Sequence, residues 1–295
     1  MFFPVLDCNG RELALDRARI AGIVNVTPDS FSDGGEFLDA ERAIAHGLTL
    51  VEEGADLLDI GGESTRPGAI EVSVEDEIAR VVPVIQALVK QTSVPIAIDT
   101  SKPEVMRAAV AAGAGLINDV FALRRDGALD AAADLGVPVC VMHMRGEPRT
   151  MQDAPDYDDV VAEVHRFLAE RLFACQMAGI DKKKILLDPG FGFGKSLENN
   201  LELLRGLDRF PELGPIMVGL SRKATIGTLT GREHPADRAG GSAAAALIAV
   251  QKGALIVRVH DVAITRDALA IWHAVGDSAK PHARKPSKTT LWDDD

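Results

Sequence analysis

Polar and charged residues stand directly after each of eight short apolar runs in this 295-residue chain. Three of the runs lead into carboxylate or amide side chains, which are those of Asp99, Asn118 and Asp188. Carboxylates accept hydrogen bonds in pairs, an amide both donates and accepts, and together they suit a ligand edge with several N–H donors. The alternative is that a strand-end aspartate caps the next helix. For Asp99 this is weaker, because the hydroxyl residues at 100 and 101 stand closer to the proline of the first helical turn.

Cationic residues follow the last two apolar runs. Arg258 and His260 are two positions apart, so on a strand both side chains point to the same face. We therefore expect an anion site there, although the chain carries 32 Lys and Arg against 44 Asp and Glu. Lys223 follows the run before and could donate either to a ring carbonyl or to a phosphate. Both interpretations of Lys223 stay open.

The elements that must position these residues alternate eight times along residues 19–276. The apolar runs end near Asn25, Ile60, Asp99, Asp119, His143, Asp188, Leu220 and His260. Runs that are apolar almost throughout are typical of parallel strands buried on both faces. Amphipathic segments between them predict helices that include residues 39–53, 74–90, 103–112, 159–177 and 266–273. Glycines predicted to end five helices stand at positions 54, 113, 136, 179 and 253.

Eight such repeats predict an α/β protein built as a (β/α)8 TIM barrel, since a doubly wound open sheet usually has about five or six strands. The active site of a parallel barrel lies at the carboxyl ends of its strands, so the polar residues should meet at one mouth. Barrels commonly bind phosphate between the loops after the seventh and eighth strands, where Arg258 and His260 fall.

The two ends of the chain differ from the barrel repeats. Residues 3–7 and 11–16 flank Asn9-Gly10, the strongest signal of a two-residue hairpin turn. They predict an N-terminal β-hairpin within residues 1–17 that caps the amino-terminal mouth. Residues 277–295 are rich in Pro, Ser, Lys and Asp, which predicts a disordered tail. We expect residues 1–276 to form a single domain.

Composition excludes several classes of protein. Apolar residues make up 46% and charged residues 26%, as in folded soluble proteins, and the formal net charge of −12 disfavours nucleic acid or a membrane surface as partner. The longest apolar run, residues 243–250, is far below the roughly 20 residues that span a bilayer. Without a targeting segment, we expect a cytoplasmic protein. The spacing of Cys8, Cys140 and Cys175 fits no disulfide framework, zinc site or redox pair, so we expect reduced packing residues.

Familiar phosphate-loop and nucleophile motifs do not fit this sequence. Residues 190–196 are glycine-rich, but Pro189 stands where a P-loop requires glycine, and Lys195 breaks the GxGxxG pattern. No run ends at a serine elbow or a cysteine, which favours direct displacement without a covalent enzyme intermediate. His143 and Arg145 after the fifth run are as consistent with a self-satisfied loop as with a ligand contact.

Four segments resemble, in order, the signatures of the dihydropteroate synthase family of pterin-binding enzymes. They are residues 25–35 (NVTPDSFSDGG), 59–68 (DIGGESTRPG), 188–195 (DPGFGFGK) and 219–223 (GLSRK). Only Ala224-Thr225, at a predicted helix start, departs noticeably from the pattern. The resemblance covers nearly the whole predicted barrel and implies a transferase. Such enzymes join 6-hydroxymethyl-7,8-dihydropterin diphosphate to 4-aminobenzoate and release diphosphate.

The resemblance also implies roles for individual residues. Pterin contacts are implied for Asp99, Asn118, Asp188 and Lys223. Diphosphate contacts are implied for Asn25, Thr65, Arg258 and His260, with Asn25 also contacting a Mg²⁺ ion bound to the diphosphate. The aminobenzoate region and two mobile lids, residues 27–36 and 63–69, involve Phe31, Asp33, Thr65, Arg66, Pro67 and Ser221. Roles in catalysis are implied for Lys223, Arg258 and His260.

Small-molecule substrates, a Mg²⁺ cofactor and a homodimer are therefore expected, without a nucleic-acid or membrane partner. Two alternatives stay open. A methyltetrahydrofolate-dependent corrinoid methyltransferase domain would share the groups that read the ring, but it has no use for Arg258 or His260. A catalytically silent pterin-binding paralogue would keep the fold as a binding module, which the presence of every expected site residue disfavours.

Overall fold

The structure is a computed structural model that describes residues 4–26, 35–64, 71–146 and 156–276. The predicted tail at residues 277–295 lies outside the described residues, as do most of both predicted lids. The chain begins with an antiparallel hairpin of two strands, β1 (Val5–Asp7) and β2 (Glu12–Ala14).

Within the described ranges, a closed barrel of eight parallel strands follows the hairpin. The strands are β3 (Arg19–Asn25), β4 (Leu57–Gly61), β5 (Ile96–Asp99), β6 (Leu116–Asp119), β7 (Val139–Met142), β8 (Ile185–Asp188), β9 (Ile216–Val218) and β10 (Ala254–Val259). Pairing of Val257 on β10 with Ile20 on β3 closes the ring. The predicted (β/α)8 TIM barrel is confirmed, and each strand ends within two residues of its predicted end.

Helices cover the outside of the barrel. In the described part of the chain they are α1 (Gly35–Glu53), α2 (Val74–Gln91), α3 (Pro103–Ala111), α4 (Ala128–Leu135), α5 (Val160–Met177), α6 (Leu197–Arg205), α7 (Ala224–Thr230), α8 (Ala239–Gln251) and α9 (Val262–Gly276). The five predicted helix-ending glycines all have positive φ, from 65° at Gly136 to 114° at Gly113, which is a conformation that favours glycine. No described helix is both long and apolar enough to cross a membrane.

The hairpin fills the amino-terminal end of the barrel, as predicted. Asn9 and Gly10 turn the chain with φ of 58° and 81°, as a two-residue hairpin turn of the predicted kind requires. The Arg11 guanidinium anchors the turn on the carbonyl oxygens of Val94 and Val89, at 2.7 and 2.6 Å. Four hairpin residues, Leu6, Cys8, Leu13 and Leu15, form one buried cluster with one residue from each barrel strand. The barrel residues of this cluster are Ala21, Leu57, Ala97, Leu116, Cys140, Leu186, Met217 and Ile256.

Gly115, directly before β6, makes room for the hairpin. A methyl group built on Gly115 would lie 2.1 Å from the carbonyl oxygen of Cys8. We expect Gly115→Ala to displace the hairpin and to lower the free energy of unfolding by about 1–3 kcal/mol, measured by urea unfolding. The matched control is Gly240→Ala in α8, where an added methyl meets no atom within 4 Å and alanine is the better helix former. Equal stability of the two variants would contradict this account.

Candidate active site

The polar residues of the site form a layer directly above the apolar cluster inside the barrel. Side chains alternate between the two faces of a strand, so a residue two positions after an inward-facing one also points inward. Five residues of the apolar cluster are Leu57, Ala97, Leu116, Leu186 and Ile256. The residues two positions further along the same strands are Asp59, Asp99, Asn118, Asp188 and Arg258. The barrel therefore places a polar layer at the carboxyl ends of its strands.

Arg258 crosses the barrel mouth and joins two carboxylates of this layer. Its Nε donates to Oδ2 of Asp59, and its Nη2 donates to Oδ2 of Asp99 at 2.7 Å. The same oxygen of Asp59 accepts from Nδ2 of Asn118 at 3.1 Å. Although burial acts in the opposite direction, these carboxylates raise the pKa of Arg258 overall. The arginine predicted to bind an anion is thus paired with the protein's own carboxylates.

Asp59 is a member of the site that sequence reasoning did not single out. Its side chain is 2% exposed, and Oδ1 has no hydrogen-bond partner among the described residues. A carboxylate inside the apolar run of β4 requires buried partners, because an isolated buried charge is very unfavourable. Its position two residues after the inward-facing Leu57 is the signal that could have identified it.

Asp99 and Asp188 do not cap helices. Helix α3 begins after Lys102, whose side chain makes no capping hydrogen bond, and Ser101 instead donates to Asp119 at 2.5 Å. The cap of α6 is Ser196, whereas Asp188 accepts from the backbone N–H of Gly190 at 2.7 Å. The capping interpretation of these two aspartates is therefore wrong, although neither hydroxyl residue before Lys102 caps α3 in their place.

Lys223 completes the layer from the segment between β9 and α7. Its Nζ donates to the carbonyl oxygen of Phe191 and lies 4.5 Å from the ring centroid of Phe193. Burial lowers the pKa of Lys223 to about 8, and the carboxylate of Asp188 opposes this shift. Burial likewise raises the pKa of Asp188, which the Lys223 charge opposes. The two groups thus stabilise one another's charged form.

His260 and Ser221 meet at the ends of β10 and β9. Nδ1 of His260 lies 3.0 Å from Oγ of Ser221, and the same oxygen accepts from the His260 backbone N–H at 3.2 Å. Directly beside them, Arg222 and Asp261 form a two-bond ion pair of 3.0 and 2.6 Å. His260, predicted to bind the diphosphate, and Ser221, predicted to line the aminobenzoate region, are therefore neighbours. The adjacent ion pair joins the ends of the same two strands.

Asn25 ends β3, where it pairs with Gly61 of β4. An amide oxygen is a ligand that Mg²⁺ accepts, and a Mg²⁺ ion held by a diphosphate and water needs few protein ligands. No described group of three or more His, Cys, Asp and Glu side chains could hold a metal ion. A single amide such as that of Asn25 is compatible with an ion that takes most of its ligands from a phosphate and water.

Five predicted site residues lie outside the described residues, namely Phe31, Asp33, Thr65, Arg66 and Pro67. The described flanks of the second lid are held by ion pairs that sequence reasoning did not find. Lys102 lies 2.9 Å from Glu63 and 2.6 Å from Glu77 of α2. Glu63 also accepts from the backbone N–H of Val72 at 2.9 Å, so the two flanks of residues 65–70 are joined. The sequence positions of Glu63, Glu77 and Lys102 give no indication of these contacts, because the three residues come from separate elements.

The cysteines and the two residues that follow β7 have their contacts within the protein. Cys8, Cys140 and Cys175 are free and buried, as expected, and burial raises the pKa of Cys8 to about 12 and of Cys175 to about 11. His143 is buried and bonded within the protein, and Arg145 pairs with Glu163 at 2.9 Å. Both side chains thus have partners within the protein, which favours the self-satisfied loop for the segment after β7.

Comparisons with known proteins agree with this geometry. A family model described as pterin binding enzyme matches residues 21–260, from β3 to the residue after β10. The chain belongs to the pterin-binding enzyme family. Among the relatives in this family, dihydropteroate synthase of Escherichia coli strain K12 is 50% identical over 280 residues, which are 95% of this chain and 99% of the relative.

Two solved structures of Xanthomonas albilineans dihydropteroate synthase are similar to this pterin-binding enzyme over most of its length. The structure with 4-aminobenzoic acid is 65% identical, has a TM-score of 0.90, and is matched over 95% of this chain and 100% of that chain. The structure in complex with 7,8-dihydropteroate is 63% identical, has a TM-score of 0.86, and is matched over 94% and 100%. The barrel and its order of elements are therefore those of the family.

We expect Asp99→Asn to stabilise the ligand-free protein at alkaline pH. Burial raises the pKa of Asp99 to about 7 against the effect of Arg258, and Asp59 adds to the rise. An aspartate whose pKa is raised by folding binds its proton more tightly in the folded state, so it costs stability as pH rises from about 4 through 7. The variant should therefore have a higher Tm than the wild type near pH 8 and lose most of that gain near pH 5.

Thermal unfolding followed by circular dichroism at the two pH values measures this difference. Asp130→Asn, on the exposed side of α4, is the matched control; it removes a charge from the first helical turn, so any change in Tm should be small and the same at both pH values. A lower Tm of Asp99→Asn near pH 8, or a gain independent of pH, would contradict the raised pKa.

Proposed function

We propose that this chain catalyses the dihydropteroate synthase reaction of folate biosynthesis. In it, 6-hydroxymethyl-7,8-dihydropterin diphosphate and 4-aminobenzoate give 7,8-dihydropteroate and diphosphate. The observation that carries the proposal is the polar layer at the barrel mouth, in a chain that is 50% identical to a relative of that name. The 4-aminobenzoic acid and 7,8-dihydropteroate in the similar structures support the same substrates here.

The pterin ring suits the polar layer chemically. Its aminopyrimidinone edge has several N–H groups, and the carboxylates of Asp99 and Asp188 accept hydrogen bonds from them. Asn118 binds donors and acceptors of the same edge, and the hydrogen bond from its Nδ2 to Asp59 fixes the orientation of its amide. Lys223 donates to the ring carbonyl. When the ring enters, Asp99 exchanges its contact with Arg258 for the ring N–H groups.

Arg258 is then available to the diphosphate, together with His260, Asn25 and Thr65. A guanidinium matches phosphate oxygens in pairs, and Ser221 orients the His260 ring through its 3.0 Å contact with Nδ1. A Mg²⁺ ion held by Asn25 would offset the charge of the leaving diphosphate.

The chemistry requires one bond to break and one to form at the methylene carbon of the pterin. The bond to the diphosphate oxygen breaks, and the diphosphate leaves with the electron pair while the electron-rich ring spreads the positive charge. The arylamine nitrogen of 4-aminobenzoate then bonds to this carbon and releases a proton. No enzyme nucleophile takes part, and the burial of the cysteines is consistent with that course.

Further parts of the proposal rest on the family resemblance. The residues proposed to line the aminobenzoate region are Phe31, Asp33, Thr65, Arg66, Pro67 and Ser221. We also propose that the chain acts as a homodimer in the cytoplasm, which light scattering on the purified protein and fractionation of cells would test.

The direct test is incubation of the purified protein with both substrates and Mg²⁺, with dihydropteroate detected by mass spectrometry. We expect product only when both substrates are present. A parallel reaction with methyltetrahydrofolate and a corrinoid acceptor should give no methyl transfer. A folded protein that binds the pterin but yields no dihydropteroate would overturn the proposal in favour of a silent paralogue, and methyl transfer would favour the corrinoid alternative.

Asp99→Asn and Asp188→Asn should each abolish measurable pterin binding. In each variant an amide N–H faces a ring edge of donors, and a buried unpaired donor costs several kcal/mol. Calorimetry with a pterin ligand measures the affinity, and Asp130→Asn serves as the control with wild-type affinity. Near-normal binding in both variants would remove these aspartates from the pocket.

A further inference from the structure

The segment between β8 and α6, residues 189–196, orients two groups of the proposed pterin site. The backbone N–H of Gly190 donates to Asp188 at 2.7 Å. The carbonyl oxygen of Phe191 accepts from Nζ of Lys223, and the ring of Phe193 lies 4.5 Å from the same nitrogen. The position of this segment therefore determines how a carboxylate and an ammonium group meet the ligand.

The buried side chain of Lys195 holds this segment by hydrogen bonds. The residue is 3% exposed, and its Nζ donates to the carbonyl oxygens of Gly190 at 2.8 Å and Phe193 at 3.1 Å. The third partner of Nζ is Nδ1 of His143, at 2.9 Å, just after β7. One buried side chain thus joins both ends of the segment to the neighbouring strand.

The three partners match the three N–H groups of an ammonium ion. Two of them are carbonyl oxygens, which only accept. Burial, with the charges of Lys195 and Arg145, lowers the pKa of His143 to about 2, so its imidazole is neutral and Nδ1 can accept the third hydrogen bond. Burial also lowers the pKa of Lys195, and the nearby carboxylate of Asp188 opposes this.

The segment has little room to settle elsewhere. Gly190 and Gly194 have φ of 69° and 60°, in the region that favours glycine. A methyl group on Gly190 would lie 1.8 Å from the carbonyl oxygen of His143, and one on Gly194 would lie 2.3 Å from that of Arg145. The backbone of the segment therefore packs directly against the residues that follow β7, where His143 also accepts the hydrogen bond of Lys195.

We propose that Lys195 is a positioning residue for pterin binding, which holds residues 190–193 so that Asp188 and Lys223 face the ring. The inference rests on the proposed function, because it names the pterin as the ligand. Lys195 itself makes no contact with the substrate in this proposal. It acts through the backbone of Gly190 and Phe191.

Lys195→Met tests this, since methionine keeps much of the side-chain length and removes all three donors. We expect the dissociation constant of a pterin ligand to rise at least about tenfold by calorimetry. In steady-state assays, kcat/KM for the pterin diphosphate should fall to a similar extent, while KM for 4-aminobenzoate stays close to the wild-type value. The matched control is Lys252→Met, at a site far from the mouth. It also removes a hydrogen bond from a lysine Nζ to a backbone carbonyl oxygen, here that of Arg205 at 2.8 Å.

A second pair of variants keeps the proposal testable if Lys195→Met does not fold. In His143→Asn the side-chain oxygen can replace Nδ1 as an acceptor, whereas His143→Leu has nearly the same shape and no acceptor. We expect the asparagine variant to keep pterin affinity close to that of the wild type, and the leucine variant to lose it.

Three outcomes decide the matter. A folded Lys195→Met protein with a pterin dissociation constant within about threefold of the wild type would overturn the proposal. So would equal affinities of the two His143 variants. A wild-type protein that binds the pterin but forms no dihydropteroate counts against the proposed function only, since the comparison of binding among the variants still applies.

Discussion

Arg258 lies between the carboxylates of Asp59 and Asp99, and the rest of the polar layer depends on this contact. Buried carboxylates are stable only with partners, and two of them share a single guanidinium here. Asn118 adds one further donor to Asp59. With one arginine shared between two carboxylates, the layer has more hydrogen-bond acceptors than donors. A ring edge rich in N–H groups can supply the missing donors.

The rim of the barrel supports this layer by joining neighbouring strand ends to one another. Arg222 and Asp261 link the ends of β9 and β10, and Lys102 links Glu63, just after β4, to α2. Lys195 links the ends of β7 and β8. Each link is a charged or hydrogen-bonded contact between side chains or backbone of successive repeats. Such contacts keep the polar groups at fixed separations before any ligand arrives, which reduces the entropy lost on binding.

The sequence predicts the barrel well because strand burial, strand ends and helix-ending glycines each leave a local pattern. It also predicts Asp99, Asn118, Asp188, Lys223 and Arg258 at one mouth, since all stand near the end of an apolar run. Asp59 was not predicted, because the first charged residue after its apolar run is Glu63, although the inward-facing position two residues after Leu57 indicates it. The direction of Arg258 could not be predicted, since it depends on carboxylates that are 199 and 159 positions away along the chain. For the same reason, the glycine-rich motif gives no indication that Lys195 contacts His143, which belongs to another repeat.

The hairpin under the barrel has a consequence for the movement of ligands. Within the part of the chain that the structure describes, its leucines fill the amino-terminal end together with one residue from each strand. Ligands must then enter and leave by the opposite mouth, where the polar layer lies. Both substrates and both products pass through that one opening, so the products of one reaction must leave before a new pair of substrates can bind.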